Sequence, residues 1–272
     1  MPETTDTAQA ARPTGNTAGN ITGSTTGSAA YRPTARTVPT RSKERASYDH
    51  ELVHGILDEA YLCHLGFVRD GAPVVLPTLY ARVGERLYVH GSTGSRPLRM
   101  ARGAVAGAGA GADADASTGT DAGPGTGADG TPDAGLAVCL TVTHVDGLVL
   151  ARSAFHHSIN YRSVVVHGTA HQVTDPEERR TALDAIVDQV VPGRAADSRP
   201  ANARELAATA VIRLDLDEVS AKVRTGGPND EPEDAVLPHW TGVVPLVRGY
   251  GTPEPAADLA PSVTVPGYLS AL

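Results

Sequence analysis

The sequence predicts a mainly β fold, a small barrel with flanking helices. Three observations support this prediction: short stretches rich in β-forming residues follow one another closely, turn pairs such as Asp70-Gly71 and Gly84-Glu85 separate them, and few helical patterns interrupt them. A β-sandwich with flanking helices is the alternative that the same pattern allows.

Composition limits how much of the chain can pack into a core. The 272 residues include 29 Gly and 20 Pro, and only 4% are aromatic. Residues 1–45 and 103–135 contain almost no large apolar side chains, so both are predicted to be disordered. We expect one domain at 46–250, interrupted by the second of these segments, and an extended tail at 251–272.

The domain is predicted to open with a helix and continue as a meander of strands. Leu52, Val53 and Ile56 fall on one helical face, and Ser47 or Asp49 can cap it. The predicted strands cover 61–69, 74–82 and 86–90, a hairpin of 136–144 and 148–152 around Asp146-Gly147, and 163–173.

A second helix is predicted after Asp175. Asp175-Pro176-Glu177-Glu178 supplies a cap, a first-turn proline and acidic residues at the positive helix end, and Pro192-Gly193 ends the apolar stripe. A short helix at 203–209 leads into two closing strands at 210–216 and 219–224.

Charge and cysteine content exclude several classes of protein. The net charge is -8 and there is no basic stripe, so nucleic acid is not an expected partner. No apolar run approaches a membrane span and no signal peptide begins the chain, so a cytoplasmic protein with a small-molecule substrate is expected. Cys63 and Cys139 are expected to be small core residues rather than a disulfide or a zinc site.

No metal site is predicted. His167 and His171 share one face of a strand, but no acidic partner lies at a suitable spacing.

Two segments carry polar groups suited to binding. The run from Tyr88 to Arg96 ends a strand with Ser92, Ser95 and Arg96, whose hydroxyls, backbone N–H groups and guanidinium suit a phosphate; a plain hairpin exit is the alternative. The run from Phe155 to Ser163 reads as either a binding rim or a solvated loop.

Together these segments resemble the pyridoxamine 5'-phosphate oxidase-like flavin-binding split-barrel family, in the branch of the nitroimidazole-resistance proteins. The resemblance runs from about Arg41 to the C-terminus. Its most specific pieces are residues 88–96, 149–157, 160–168, 220–226 and 240–246.

The resemblance implies a six-stranded antiparallel split barrel that forms a homodimer and binds FMN at the subunit interface. It places a histidine of the active site at His90. It implies that Ser92, Ser95 and Arg96 bind the cofactor phosphate, assisted by Tyr161, Arg162 and Ser163. It places Pro77, Thr78 and Leu79 on the strand along the flavin ring, and Arg224 and Trp240 at the rim of the cofactor site.

The function implied is an FMN-dependent oxidoreductase acting on a small aromatic or nitro compound. The Arg-x-His pair that grips pyridoxamine phosphate is replaced by His239-Trp240, so the vitamin B6 reaction is not expected. Three alternatives stay open: a flavin carrier without catalysis, a deazaflavin user, and a haem protein that uses His156, His157 or His90.

Overall fold

A computed structural model describes residues 29–101 and 135–270. Four α-helices are present in these ranges: α1 (His50–Glu59), α2 (Arg96–Met100), α3 (Pro176–Val190) and α4 (Ala203–Ala208). Asp49 caps α1, because its carboxylate accepts a hydrogen bond from the Leu52 N–H. Asp175 caps α3 in the same way, since its carboxylate accepts from the Glu178 N–H. Both helices begin where the sequence predicts.

Nine strands in these ranges form one antiparallel sheet. They are β1 (Ala46–Ser47), β2 (Leu62–Arg69), β3 (Ala72–Val83), β4 (Arg86–Ser92), β5 (Leu136–Leu150), β6 (Ser158–Gln172), β7 (Thr209–Asp215), β8 (Glu218–Arg224) and β9 (Gly242–Pro245). The order is β1-β8-β6-β7-β4-β3-β2-β5-β9, and β5 also pairs with β6. That extra pairing closes a ring of six strands, β6-β7-β4-β3-β2-β5, so the predicted six-stranded split barrel is confirmed.

The barrel interior is filled by alternate residues of every ring strand. Cys63, Leu65 and Phe67 of β2 point inward, as do Leu140 and Val142 of β5. Helix α1 adds Val53, Ile56 and Leu57 to the same core. Cys63 is therefore the small core residue that the sequence predicts, and burial raises the pKa of its thiol to about 12.

A second, smaller core lies outside the barrel, under α3. Ala81, Tyr88 and Val211 point outward from β3, β4 and β7, and they pack against Ala182 and Ile186 of α3. We call this region the covered face.

Among the described residues, no helix lies over the outward side of β2 and the first part of β3. Its side chains are Leu62, His64, Val68, Val75, Pro77 and Leu79, all of them exposed. Val75 keeps 62% of its surface accessible and Leu62 keeps 47%. We call this region the bare face.

The predicted hairpin at Asp146-Gly147 is wrong. Residues 136–150 form one continuous strand, in which Val145 pairs with Tyr161 and Gly147 with Asn160. Asp146 is the extra residue of a β-bulge, so the turn signal marks an irregularity in the strand instead of its end. The Asp70-Gly71 turn is confirmed, since both residues have positive φ, at 50° and 76°.

The predicted disorder of residues 1–45 does not extend to 29–45. Tyr31 is buried in the main core, and its backbone N–H donates to the Tyr48 carbonyl at 2.8 Å. Residues 1–28 and most of the predicted 103–135 insertion lie outside the described residues. In the part of the chain that the structure describes, no helix has the length and apolar character to cross a membrane.

Candidate functional site

The turn between β4 and α2 presents side chains rather than backbone N–H groups. The Thr93 N–H donates to the Ala208 carbonyl, the Gly94 N–H to the Ser92 hydroxyl, and the Ser95 N–H to the Ser92 carbonyl. These donors are used within the fold, so the expected cradle of backbone N–H groups is absent from this described turn. Ser95 makes no side-chain cap bond, and the Arg96 side chain is 60% exposed.

Arg96 opens onto a pocket at one end of the barrel. The pocket has a volume of about 620 Å³ and is lined by Arg69, Arg96 and Arg99 together with Asp70 and Leu136. The carboxylate of Asp70 lies 3.7 Å from both the Arg96 and the Arg69 guanidinium. One acid among three arginines leaves an excess of positive charge, which suits a phosphate or diphosphate. We call it the arginine pocket.

Pro77, Leu79 and His90 share the outward side of the sheet. Leu79 pairs with Leu62, Pro77 pairs with His64, and Tyr80 pairs with Val89. His90 is the next residue after Val89, so the alternation of strands places it beside Leu79, at the border between the bare and covered faces. Thr78 points to the other side of the strand.

His90 is the best placed of the predicted site residues for proton chemistry. Its ring is half-buried, and its Nδ1 atom has no hydrogen-bond partner among the described residues. Burial lowers the pKa of the imidazole below its usual value, because desolvation disfavours the charged ring. The neutral ring is therefore favoured, and the unpartnered Nδ1 atom is itself buried.

Arg162 does not offer a free guanidinium. Its Nε and one terminal nitrogen donate to Asp146 at 3.0 and 2.9 Å, and its terminal nitrogens also bind Glu59, one of them at 2.9 Å. Hydrogen bonds from Arg162 hold the pKa values of Glu59 and Asp146 below their usual range. The predicted role of Arg162 as a phosphate ligand does not fit this arrangement, since two carboxylates already neutralise it.

Arg224 also has a role within the fold. It is buried, and it donates to the Asn160 side-chain oxygen at 2.5 Å and to the Gly227 carbonyl at 3.1 Å. These bonds fix the loop that follows β8. Its neighbours Tyr161 and Ser163 are half-buried on β6, and the Ser163 hydroxyl donates to the Lys222 carbonyl.

The short 3-10 turn Ala154–His156 and the residues around it bring histidines to the surface. The Nδ1 atom of His157 lies 3.0 Å from the Ser153 carbonyl. A carbonyl only accepts, so Nδ1 carries the proton and Nε2 keeps its lone pair. His156 differs, because its Nε2 faces Glu231 at 3.6 Å. We call residues 153–157 the histidine loop.

Exposed apolar side chains are present on and near this loop. Phe155 belongs to the loop and is 88% exposed. The segment that carries Trp240 reaches the base of the loop, since Asp230 binds both Arg152 and Thr241. Trp240 is 65% exposed and does not anchor the core, which leaves it available to a ligand or to another chain.

The predicted site residues form two separate groups in one chain. Arg96 and Ser92 lie near the end of β6, since the Gln172 N–H donates to the Ala101 carbonyl that closes α2. Tyr161, with Arg162 and Ser163, lies near the start of β6. Gln172 is nine positions after Ser163 on β6, or about 30 Å along an extended strand. A single cofactor therefore does not reach both groups within one chain.

Sequence reasoning missed two of the arginines. Arg69 precedes the Asp70-Gly71 turn, and Arg99 follows Arg96 by three residues, about one turn of α2. The spacing of Arg99 was visible in the sequence. The approach of Arg69 to Arg96 was not, because it depends on how the β2–β3 hairpin folds against α2.

The chain is similar to several known proteins. The family model described as pyridoxamine 5'-phosphate oxidase matches residues 49–118 and 123–223. A flavocytochrome from Azotobacter vinelandii is 34% identical, with a TM-score of 0.72, and the match covers 89% of this chain and 98% of that one. A protein from Mycobacterium smegmatis described as binding FAD and heme is 34% identical, with a TM-score of 0.69, over 84% of this chain and 96% of that one.

A protein from Bacteroides thetaiotaomicron described as a 5-nitroimidazole antibiotic resistance protein is more distant. It is 18% identical, with a TM-score of 0.45, and the match covers 65% of this chain and 86% of that one. Among curated proteins there is no significant match.

Proposed function

The chain belongs to the pyridoxamine 5'-phosphate oxidase family, and on that premise we propose that it is a flavin-dependent oxidoreductase that also binds haem. The observation that carries the proposal is the likeness to two relatives, each 34% identical over more than four fifths of this chain, whose names combine a flavin with haem. Bound flavin supplies hydride or single-electron transfer, and haem supplies single-electron transfer. The proposed activity is therefore electron transfer between the flavin and the haem.

The flavin part of the proposal rests on the arginine pocket. Arg69, Arg96 and Arg99 line a pocket large enough for phosphate groups. The hydroxyl of Ser95, next to Arg96 in sequence, makes no cap bond. FMN is the flavin expected from the sequence. The name of the relative from Mycobacterium smegmatis favours FAD, whose two phosphates suit three arginines. The strand of Pro77 and Leu79, with His90 beside it, would then lie along the ring.

The haem part rests on His157. A histidine that binds a metal usually donates its other ring N–H to a carbonyl or carboxylate. His157 has this arrangement already, with Nδ1 held by Ser153 and Nε2 free. Exposed Phe155 and Trp240 offer the kind of apolar surface that a porphyrin needs. His156 is the weaker candidate because it faces Glu231.

A homodimer would complete the flavin site. The two groups of predicted site residues lie at opposite ends of β6 in one chain, so a second chain must bring Tyr161 and Ser163 to the arginine pocket. The bare face supplies an apolar surface for such a contact. A small aromatic or nitro compound stays the proposed electron acceptor.

The first experiment is a visible spectrum of the purified protein, followed by mass spectrometry of the chromophore released on denaturation. Flavin bands together with a Soret band are expected, and the released mass distinguishes FMN, FAD and deazaflavin. A colourless protein that takes up neither added flavin nor haem would contradict the proposal. Stoichiometric flavin that never turns over with any donor and acceptor would favour a carrier instead.

Variants test the two sites separately. Arg96→Ala should weaken flavin binding by at least about tenfold, because it removes a charge-assisted contact. Arg180→Ala, an exposed arginine on α3, is the matched control and should bind flavin as the parent does. His157→Ala should lose the Soret band and His156→Ala should keep it. If both variants have the same spectrum as the parent, the histidine loop is not the haem site.

A further inference from the structure

A cluster of metal-binding side chains lies on the N-terminal side of the barrel. His50 and His54 are four residues apart on α1 and face the same way, and Glu85 reaches them from the turn between β3 and β4. One ligand atom from each residue can be chosen so that all lie within 4.8 Å of one another. Neither the flavin site nor the histidine loop includes these residues.

The distances are close to those of a real metal site. His54 Nε2 lies 3.2 Å from Glu85 Oε1, and His50 Nδ1 lies 3.7 Å from the same oxygen. In a tetrahedral zinc site with bonds near 2.0–2.1 Å, neighbouring ligand atoms are about 3.3 Å apart. A cation therefore fits with small rotations of these side chains.

Tyr31 contacts all three residues of the cluster. Its hydroxyl donates to Glu85 Oε2 at 2.7 Å, and His54 Nε2 lies 3.0 Å from the hydroxyl oxygen. The hydroxyl has a single proton, so His54 must be the donor in the second bond. The proton on His54 Nε2 is the one that a cation would displace. The Tyr31 ring also stacks on His50 at 3.8 Å.

The charge at the cluster favours a cation. Glu85 supplies a carboxylate, and its Oε1 atom faces both imidazoles. The nearby Arg82 is paired with Asp58, which offsets its positive charge. The side chains of His50 and His54 are partly exposed, so an ion can enter from solvent.

We propose that His50, His54 and Glu85 bind a divalent transition-metal ion of the zinc class. Two imidazoles and one carboxylate prefer Zn²⁺ over Mg²⁺ or Ca²⁺. Tyr31 is a positioning residue, and the ion joins α1 to the β3–β4 turn across the segment that carries Tyr31. The site leaves one coordination position for water.

The test measures zinc bound to the full-length protein with its cofactors in place. Protein treated with a chelator and desalted is given Zn²⁺, passed through gel filtration, and analysed for metal, and the affinity is measured by competition with a chromophoric chelator. One zinc per chain is expected. Zn²⁺ should also raise the thermal midpoint, and Mg²⁺ should not.

Three variants decide the ligands. Glu85→Gln and His54→Gln should each weaken zinc binding by at least about tenfold and lose the thermal shift. His50→Gln should also weaken zinc binding and lose the thermal shift. It keeps the hydrogen bond from Tyr31 to Glu85, so it still tests the site when the other two variants fold poorly. His239→Gln changes an exposed histidine elsewhere and should bind zinc as the parent does. No retained zinc in the parent, or parental affinity in all three variants, would overturn the proposal.

Discussion

The covered face and the bare face are neighbouring parts of one sheet, and β3 belongs to both. In each region the outward side chains are largely apolar. Helix α3 buries Ala81 and Tyr88 in the covered face, whereas Val75 and Leu79 in the bare face stay accessible. Exposing apolar side chains of this size gives no stability to an isolated chain. We propose that a second subunit packs against the bare face.

The largest expected effect is a difference in stability between a variant of the covered face and a variant of the bare face. Ile186→Ala, under α3, should lower the free energy of unfolding by about 2–4 kcal/mol, because it leaves a cavity in the smaller core. Val75→Ala, on the bare face, should change it by less than about 0.5 kcal/mol in dilute protein. Urea denaturation measures both. Similar losses in the two variants at high dilution would mean that the faces do not differ.

The second prediction tests what covers the bare face. Val75→Glu places a charge in the proposed subunit contact and should raise the dimer dissociation constant at least tenfold, or about 1.4 kcal/mol. Sedimentation velocity over a dilution series measures it. Val263→Glu, at an exposed valine of the tail, is the control and should leave the dimer intact. A parent protein that stays monomeric at all concentrations would refute the contact.

The third prediction concerns the polar bond that joins α3 to the covered face. The Tyr88 hydroxyl donates to Glu178 at 2.8 Å. Tyr88→Phe should cost about 1 kcal/mol, since Glu178 keeps its ion pair with Arg86. Tyr250→Phe, at an exposed tyrosine, should be neutral. Equal stability of Tyr88→Phe and the parent would show that packing alone holds α3.

The smallest expected effect is on pH dependence, at the pair of carboxylates that hold Arg162. Arg162 lowers the pKa values of Glu59 and Asp146, so the stability they add is present at neutral pH and is lost as the pH falls below about 4.5, the ordinary glutamate value. Since the Glu59 side chain is 52% exposed and the Asp146 side chain 35%, solvent screens the interaction and the effect should stay below about 1 kcal/mol. Glu59→Gln should reduce the difference between the free energies of unfolding at pH 7 and at pH 3. A difference equal to that of the parent would mean that the ion pair of Glu59 with Arg162 does not contribute to this pH dependence.

The sequence identifies most of the segments that contribute to the candidate site, but not how these segments are arranged in space. Ser92 does end a strand, as predicted, and Ser95 and Arg96 begin the helix that follows it. Arg162 was expected to bind phosphate, yet it is held by Glu59, which lies 103 residues away in sequence. No local pattern reports a contact of that separation. The same limit hid the approach of Glu85 to His50 and His54, although the spacing of the two histidines is local.

Local chemistry is what the sequence by itself determined about this protein. The caps at Asp49 and Asp175, the Asp70-Gly71 turn and the alternation of β2 follow from interactions over a few residues, and the predicted barrel follows from their order. The tertiary structure decided the rest. It made Asp146 a bulge, placed Tyr31 in the core and left the side chains of the bare face exposed among the described residues, because each of these depends on which distant strand or helix packs alongside.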